Sequence, residues 1–374
     1  MKTVLVAFGT RPEAIKMCEL IKELKNRAEF NVKVLVTGQH RGMLKQALTD
    51  YGITPDYDLD IMKIGQTLSY ITAEVLDGAD GIISKLLPDI VLVHGDTSSA
   101  FAVALAAFYR GVAVGHIEAG LRTHDIKTPF PEEFNRTAIS LIAKYHFAPN
   151  CNAKNNLLSE GIADENIFVT GNTVIDALIK DIRADYKSRY TELAAGRRLV
   201  ILTAHRRENI SDFESVFRAV KRATELYGDI CVIYPVHKNE KILSLAEKVF
   251  FGVPCVYLCE PISAFDFHNL LNAAHLILTD SGGVQEEASY LSKPTLVLRK
   301  STERKELLSN SQFKLVGTEE DTVFLAIKEM LDKSTDDLQG REKTHILGDG
   351  CAAVRIADIL EKIQDFEETE KKYV

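Results

Sequence analysis

Short apolar runs alternate with longer amphipathic stretches along almost the whole chain. Near-continuous apolar runs of this length are typical of strands in a parallel sheet that is covered on both faces. In the first half the predicted strands are 3–8, 31–37, 89–94, 112–117, 145–148 and 167–170, and the predicted helices are 12–26, 66–87, 97–110, 132–143, 151–160 and 173–185. This order predicts an α/β unit with a doubly wound parallel sheet.

A charged and weakly apolar stretch at 181–198 interrupts the alternation, which restarts at 199–203. Further predicted strands are 230–235, 254–258, 275–279 and 294–298, and a last helical pattern runs from 351 to 366. We therefore predict two units, at 1–180 and 181–350. The segment 351–374 is predicted to be a terminal helix that packs back on one of them, and we expect it on the first.

The polar motifs follow the ends of predicted strands. In open parallel sheets, ligands bind outside the carboxyl ends of the strands, so polar residues there indicate binding or catalysis. The motifs are 9–13 (GTRPE), 38–41 (GQHR), 94–97 (HGDT), 116–120 (HIEAG), 204–208 (AHRRE), 236–237 (VH) and 280–283 (DSGG). Two such edges that face each other would form a cleft, which is a common place for a ligand.

The segment 281–287 (SGGVQEE) is the most informative of these motifs. A strand runs into Ser-Gly-Gly and a helix begins there, so that free backbone N–H groups and the helix dipole favour a phosphate. Glu287 lies one turn into the helix and leans back toward its N-terminus, where a carboxylate could hold a ribose diol. The alternative is a tight turn in which Ser281 or Asp280 is an ordinary cap.

Three carboxylates, Asp96, Glu118 and Glu132, lie at or near strand ends of the first half. In one crevice they would offer an acid and a base with separable pKa values. Each also has a structural alternative: Asp96 as a helix cap, Glu118 in an ion pair with Arg122, and Glu132 in a first helical turn.

Cationic side chains are candidates for the phosphate end of the same ligand. Arg11 can bind a phosphate through two N–H groups, and Lys16 follows about one turn later. His205 follows the first strand of the second half and could stabilise a leaving group or act as an acid. An ordinary surface or structural role remains open for each of them.

Composition narrows the function classes. The net charge of -8 over 374 residues argues against broad binding to nucleic acid or to an anionic membrane surface. The six cysteines and ten histidines show no spacing typical of a metal site, so we expect reduced thiols, no metal and a cytoplasmic protein. Neither a G-x-G-x-x-G nor a Walker sequence is present, which disfavours a dinucleotide cofactor and a P-loop nucleotidase.

Eight ordered segments resemble the non-hydrolysing UDP-N-acetylglucosamine 2-epimerases of bacteria. They are 8–16 (FGTRPEAIK), 38–41 (GQHR), 93–97 (VHGDT), 115–123 (GHIEAGLRT), 129–136 (PFPEEFNR), 171–178 (GNTVIDAL), 204–209 (AHRREN) and 279–288 (TDSGGVQEEA). The resemblance implies a GT-B-like fold, in which two Rossmann-like domains face a central cleft, and a homodimer. It also implies interconversion of UDP-N-acetylglucosamine and UDP-N-acetylmannosamine for surface polysaccharide synthesis, with no cofactor.

The resemblance further implies roles for individual residues. Chemistry or sugar binding falls to Lys16, Asp96, Glu118, Glu132 and His205. Binding of the nucleotide falls to Arg11, Phe267, Ser281, Gly282, Gly283, Glu287 and Arg304, and a regulatory UDP-N-acetylglucosamine site to Gln39, His40, Arg206 and His237. The chain departs from the family pattern at Lys305, at 345–347 (HIL) and at Gly42, and the last of these bears on the regulatory site.

The implied reaction breaks the C1–O bond first. The C2 proton is not next to a carbonyl, so its direct removal would give an unstabilised carbanion. Elimination of UDP gives 2-acetamidoglucal, and re-addition with the proton on the opposite face inverts C2. The alternatives are a hydrolysing epimerase, a GT-B glycosyltransferase and a silent nucleotide-sugar sensor. The small Ser98 and Ser99 after an intact 95–97 (GDT) favour the non-hydrolysing reaction.

Overall fold

The buried apolar runs of the sequence form two separate sheets, and every strand pair in the described residues is parallel. The computed structural model describes residues 1–39, 41–63, 65–204, 212–236, 239–333 and 345–363. The chain divides into a first unit, Met1–Ile179 with Ile346–Val374, and a second unit, Lys180–His345. Helices follow the strands in each unit, so the predicted class of doubly wound parallel sheets is confirmed.

The inner strands of the first sheet are apolar and buried on both faces. Its strands are β1 (Lys2–Phe8), β2 (Phe30–Val36), β3 (Tyr57–Asp58), β4 (Ile90–His94), β5 (Ala113–Ile117), β6 (Tyr145–Ala148) and β7 (Ile167–Val169), in the order β3-β2-β1-β4-β5-β6-β7. Its helices are α1 (Arg11–Lys25), α2 (Arg41–Asp50), α3 (Leu68–Leu86), α4 (Ser98–Tyr109), α5 (Glu132–Ile142), α6 (Cys151–Ser159) and α7 (Thr173–Asp181), the last of which leads into the second unit. Val4 of β1 pairs with Val32 and Ile90 on either side.

The second sheet repeats this plan with the order β10-β9-β8-β11-β12-β13. Its strands are β8 (Arg198–Thr203), β9 (Ile230–Pro235), β10 (Val256–Cys259), β11 (Leu276–Thr279), β12 (Thr295–Val297) and β13 (Phe313–Leu315). Its helices are α8 (Arg189–Ala194), α9 (Phe213–Leu226), α10 (Glu240–Phe250), α11 (Ala264–Ala273), α12 (Gly282–Tyr290) and α13 (Glu320–Asp332). Apolar residues of β8, β9, α9 and α13 form its buried core.

The last described helix, α14 (Ala352–Lys362), belongs to the first unit. The Asp176 carboxylate accepts the backbone N–H groups of Ala352 and Ala353 at 3.2 and 2.8 Å, which satisfies free donors at the start of α14. Arg27 of α1 donates to Glu361 at 2.8 Å near the other end of the helix. Within the described residues, no helix is both long and apolar enough to cross a membrane.

The elements α2 and β3 of the first unit and α8 and β13 of the second have no counterpart among the predicted ones, while the other helices of the second unit agree with a predicted alternation that gave no bounds for them. The strands β3 and β13 have only two and three residues, and both lie at sheet edges, where the apolar signal is short. The six-residue α8 lies inside the charged stretch 181–198 and is started by Ser188, whose hydroxyl accepts the Thr191 N–H. Polar composition therefore hid the short elements.

Candidate active site

The polar motifs cluster where the strand order changes direction. This point lies between β1 and β4 in the first sheet and between β8 and β11 in the second. An open parallel sheet leaves a crevice there, at the carboxyl ends of the strands. The motifs 9–13 and 94–97 occupy this place in the first unit, and 280–283 occupies it in the second. Each unit therefore has its own group of candidate residues.

The loop after β1 is fixed by a buried carboxylate. Glu13 accepts the backbone N–H groups of Gly9 and Thr10 at 3.1 and 2.8 Å. Burial raises the pKa of Glu13 above its usual value. A side chain at Gly9 would not fit, since a Cβ there would lie 2.2 Å from Thr37 Oγ1. This loop leads directly into Arg11, the half-buried first residue of α1.

Glu118 follows β5 in a left-handed backbone conformation, with φ of 64°. Its carboxylate forms an ion pair with Lys16 of α1 and accepts the Asn172 amide at 2.6 Å. The Glu118 side chain is only 8% exposed, and a buried carboxylate requires such partners. The alternative pairing with Arg122 is wrong, because Arg122 pairs with Glu160 at 2.8 Å.

Asp96 is half-buried after β4 and forms an ion pair with Arg136 of α5. The Asn135 amide donates to its backbone carbonyl at 2.9 Å. The alternative that Asp96 caps α4 is wrong, since Thr97 Oγ1 accepts the Ala100 N–H at 3.0 Å and is the cap. The Asp96 carboxylate is therefore available to a role other than capping.

Glu132 is the first residue of α5 and is half-buried, in agreement with the prediction of a first helical turn. The adjacent Glu133 is buried instead, and it accepts the N–H groups of Thr123 and His124, both at 2.9 Å. The two neighbouring acids thus differ, because Glu133 holds the preceding loop while Glu132 lies nearer the surface.

Three histidines of the first sheet are buried and uncharged at neutral pH. Burial lowers the pKa of His94 to about 4, of His116 to about 3 and of His146 to about 4. His94 Nε2 lies 3.9 Å from Glu118 Oε2, so a neutral imidazole stands beside the candidate carboxylate.

In the second unit, Ser281 holds the N-cap position of α12, but its side chain makes no capping hydrogen bond. The two glycines that follow have different surroundings. A Cβ on Gly282 would lie 2.5 Å from Arg304 Nη1, whereas a Cβ on Gly283 would meet no atom of the described residues within 4 Å. Gly282 thus makes room for Arg304, and Gly283 leaves the start of the helix open.

Arg304 is buried, with 4% of its surface exposed. Its Nε donates to Glu286 Oε1 at 2.6 Å, and its Nη1 pairs with Glu303. Its guanidinium therefore lies against the start of α12 and between two carboxylates of the protein.

Glu287 of α12 is buried, and its two oxygens differ. Oε1 lies 3.4 Å from His268 Nε2, while Oε2 is buried without a hydrogen-bond partner among the described residues. His268 Nδ1 in turn lies 2.7 Å from Asp181 Oδ2. Burial alone would lower the pKa of His268, but the hydrogen bonds to the two carboxylates raise it to about 9. Phe267 precedes His268 on α11 and is half-buried.

Several predicted site residues lie outside the described part of the chain. These are His205 of the catalytic set and His40, Arg206 and His237 of the regulatory set. The remaining regulatory residue, Gln39, is described, and its Oε1 accepts the Ser99 hydroxyl at 2.8 Å. Among the described residues, no group of three or more His, Cys, Asp or Glu side chains is arranged to hold a metal ion.

Four residues of the two groups were not predicted from the sequence as site residues: Asn172, Arg136, His268 and Asp181. Asn172 follows β7 at the same sheet edge as the other motifs, so the strand-end rule applied to 171–178 would have found it. Arg136 lies within the resembling segment 129–136. His268 and Asp181 lie in helices and carry no such signal.

Comparisons with known proteins agree with one another. The family model of UDP-N-acetylglucosamine 2-epimerase matches residues 22–361. A Bacillus subtilis UDP-N-acetylglucosamine 2-epimerase is 47% identical over 96% of this chain and 94% of its own length. The structure of S. aureus MnaA with UDP has a TM-score of 0.92 at 44% identity and covers 96% of both chains. The UDP-GlcNAc 2-epimerase from Neisseria meningitidis bound to UDP-GlcNAc has a TM-score of 0.91 at 39% identity, over 96% of this chain and 100% of the other.

Proposed function

The chain belongs to the UDP-N-acetylglucosamine 2-epimerase family, and we propose that it interconverts UDP-N-acetylglucosamine and UDP-N-acetylmannosamine without releasing free sugar. The proposed route is elimination of UDP to 2-acetamidoglucal followed by re-addition. A homodimer, a cytoplasmic location and a supply of N-acetylmannosamine units for surface polysaccharide belong to the same proposal. The homodimer and the polysaccharide role are implied by the resemblance of the sequence to this family, whereas the location is inferred from the expected reduced thiols.

The route makes two different demands on the site. Cleavage of the C1–O bond places negative charge on the departing diphosphate, which calls for N–H donors or cations. Removal and return of the C2 proton call for an acid and a base near the sugar ring. A site that performs both steps therefore needs an anion-binding part and a carboxylate part.

The second unit supplies the anion-binding part of the proposal. The start of α12 offers backbone N–H groups beside Gly283, where an added side chain would meet no described atom. We assign the diphosphate to Ser281, Gly282 and Gly283, together with Arg11 from the first unit. We assign the ribose hydroxyls to Glu287, whose buried Oε2 has no partner among the described residues. That unsatisfied buried oxygen is the observation that carries the proposal.

The first unit supplies the carboxylate part. Glu118 forms an ion pair with Lys16, and Asp96 forms an ion pair with Arg136. Each of these two acids therefore has its own cationic partner. Together with Glu132, they are the proposed groups that move the C2 proton. The proposed role of His205 is to stabilise the leaving group. We leave open which carboxylate acts on which face of the ring.

The test is to incubate the protein with UDP-N-acetylglucosamine in deuterated water and to follow the sugar by NMR. The expected result is UDP-N-acetylmannosamine that carries deuterium at C2. Free N-acetylmannosamine with UDP would identify a hydrolysing enzyme, and turnover only with an added acceptor would identify a glycosyltransferase. A mannose-configured product that keeps all of its original C2 hydrogen would refute proton exchange during the reaction.

A further inference from the structure

A buried histidine joins two carboxylates behind the proposed ribose site. His268 of α11 is 2% exposed at its side chain, and its Nδ1 lies 2.7 Å from Asp181 Oδ2. Its Nε2 lies 3.4 Å from Glu287 Oε1. Asp181 is the last residue of α7, so the three side chains come from three different helices, and all three residues lie in the second unit.

Each ring nitrogen of His268 faces a carboxylate oxygen, and a doubly protonated ring matches this arrangement best. A neutral imidazole donates from one nitrogen only, and its second nitrogen would then turn a lone pair toward a carboxylate. A protonated imidazole donates from both and balances part of the negative charge of the two acids. The raised pKa of His268, about 9, agrees with this geometry.

The same contacts fix the orientation of Glu287. Its Oε1 is turned toward the His268 ring, and its Oε2 is left without a hydrogen-bond partner among the described residues. An isolated carboxylate at this position would rotate between rotamers. Because a charge-assisted contact to a buried ring holds one oxygen, the other keeps one direction.

We propose that His268 is a positioning residue, which holds the Glu287 carboxylate so that Oε2 receives the ribose hydroxyls of a uridine nucleotide. The inference rests on the proposed function, because that proposal assigns the ribose to Glu287. His268 itself does not touch the ligand. Its contribution is to select ribonucleotides over nucleotides that lack the 2′-hydroxyl.

The experiment compares the binding of UDP and 2′-deoxy-UDP to the full chain by isothermal titration calorimetry. A hydrogen bond to a carboxylate that is lost with the 2′-hydroxyl should make the wild-type protein prefer UDP by about tenfold or more. His268→Gln should reduce this preference to about threefold or less, mainly by weakening UDP binding. His275→Gln is the matched control, since His275 lies in the same unit, where burial lowers its pKa and the charged groups that act on it are Arg198, Lys293 and Asp229 rather than Glu287. It should keep the wild-type preference.

A second measurement needs no variant and decides the matter if His268→Gln does not fold. The ratio of the two affinities is measured on the wild-type protein at pH 7.5 and pH 10. The charged groups that act on His268 are Asp181 and Glu287. Loss of the imidazole proton should therefore lower the preference for UDP. Titration of the uracil ring occurs in both ligands and cancels in the ratio.

The outcomes separate this inference from the proposed function. A His268→Gln protein that keeps the wild-type preference would overturn the positioning role while leaving UDP binding intact. A wild-type protein that binds both nucleotides equally would overturn it as well, because Glu287 would then not hold the diol. A wild-type protein that binds neither nucleotide would overturn the proposed function together with it.

Discussion

The two glycines at the start of α12 should respond in opposite ways to the same substitution. Neither has a left-handed backbone, so alanine is compatible with both conformations. A Cβ at position 282 would lie 2.5 Å from Arg304 Nη1 and 2.7 Å from Arg304 Cζ. A Cβ at position 283 would meet nothing within 4 Å in the described residues. Gly283→Ala is therefore a matched control for Gly282→Ala.

The cost at position 282 depends on how firmly Arg304 is held. Its guanidinium is bound to Glu286 at 2.6 Å and paired with Glu303, so it cannot move aside without disturbing buried ion pairs. Overpacking of a buried site costs about 1–3 kcal/mol. Replacing a helical glycine by alanine offsets about 0.5–1 kcal/mol of this. We expect Gly282→Ala to destabilise the second unit by up to about 2.5 kcal/mol and Gly283→Ala to stabilise it by up to about 1 kcal/mol.

Thermal unfolding by calorimetry measures the difference. For a unit of the size of residues 180–345, each 1 kcal/mol corresponds to about 2–4 °C in Tm. Gly282→Ala should lower the transition temperature and Gly283→Ala should leave it unchanged or raise it. UDP affinity should fall in Gly283→Ala despite its stability, because the new methyl group occupies the side from which the diphosphate is proposed to approach. Equal stability of the two variants would refute the assigned contact between Gly282 and Arg304.

Three further outcomes follow from other contacts. Glu118→Gln keeps a group that Asn172 can contact but removes the negative charge that faces Lys16. Deuterium incorporation should therefore fall by about 100- to 10,000-fold, while the UDP affinity measured by calorimetry stays close to that of the wild type. Asp176→Ala leaves two N–H groups at the start of α14 without their acceptor, so thermal stability should fall by about 1–3 kcal/mol and limited proteolysis should cut sooner near that helix. The free energy of unfolding should also fall as the pH drops from 6.5 toward 4, because His94, His116 and His146 bind protons in the unfolded chain more readily than in the folded protein. Each histidine contributes up to about 1.4 kcal/mol per pH unit. Above pH 6.5 the three histidines are neutral in both states, so they do not change the stability. In urea unfolding, the stability of a His146→Gln variant should decline less steeply with falling pH than that of the wild type.

Strands that form long apolar runs were predicted closely from the sequence. β1 is fully buried from Val4 to Phe8. A strand that is buried on both faces needs an uninterrupted apolar run, and this run is visible in the sequence. β3 and β13 escaped prediction because edge strands of two and three residues bury too little surface to impose a pattern. α8 escaped because Ser188 and local hydrogen bonds, rather than an apolar stripe, start it.

The candidate site was predictable where it follows the strands and not where it depends on packing between helices. Asp96 and Glu118 follow β4 and β5, and strand ends can be located from the apolar pattern. Arg136, the partner of Asp96, is 40 residues away in the chain, and Lys16, the partner of Glu118, is 102 residues away. No pattern in the sequence indicates such distant pairs. His268 is the extreme case, since its two partners lie on other helices and only coordinates bring them together.

The charges of the described site explain how a chain with net charge -8 can suit a doubly charged ligand. In the first unit, Lys16 pairs with Glu118 and Arg136 pairs with Asp96, so the carboxylates proposed for proton transfer carry little uncompensated negative charge. Screening shortens the reach of the remaining surface charge to about 8–10 Å. In the second unit, the diphosphate is assigned to neutral N–H groups, whose dipoles attract an anion without leaving a buried cation unpaired when the ligand departs. Arg304 already has two carboxylate partners, so its charge is largely compensated and its ion pairs hold that helix start in place.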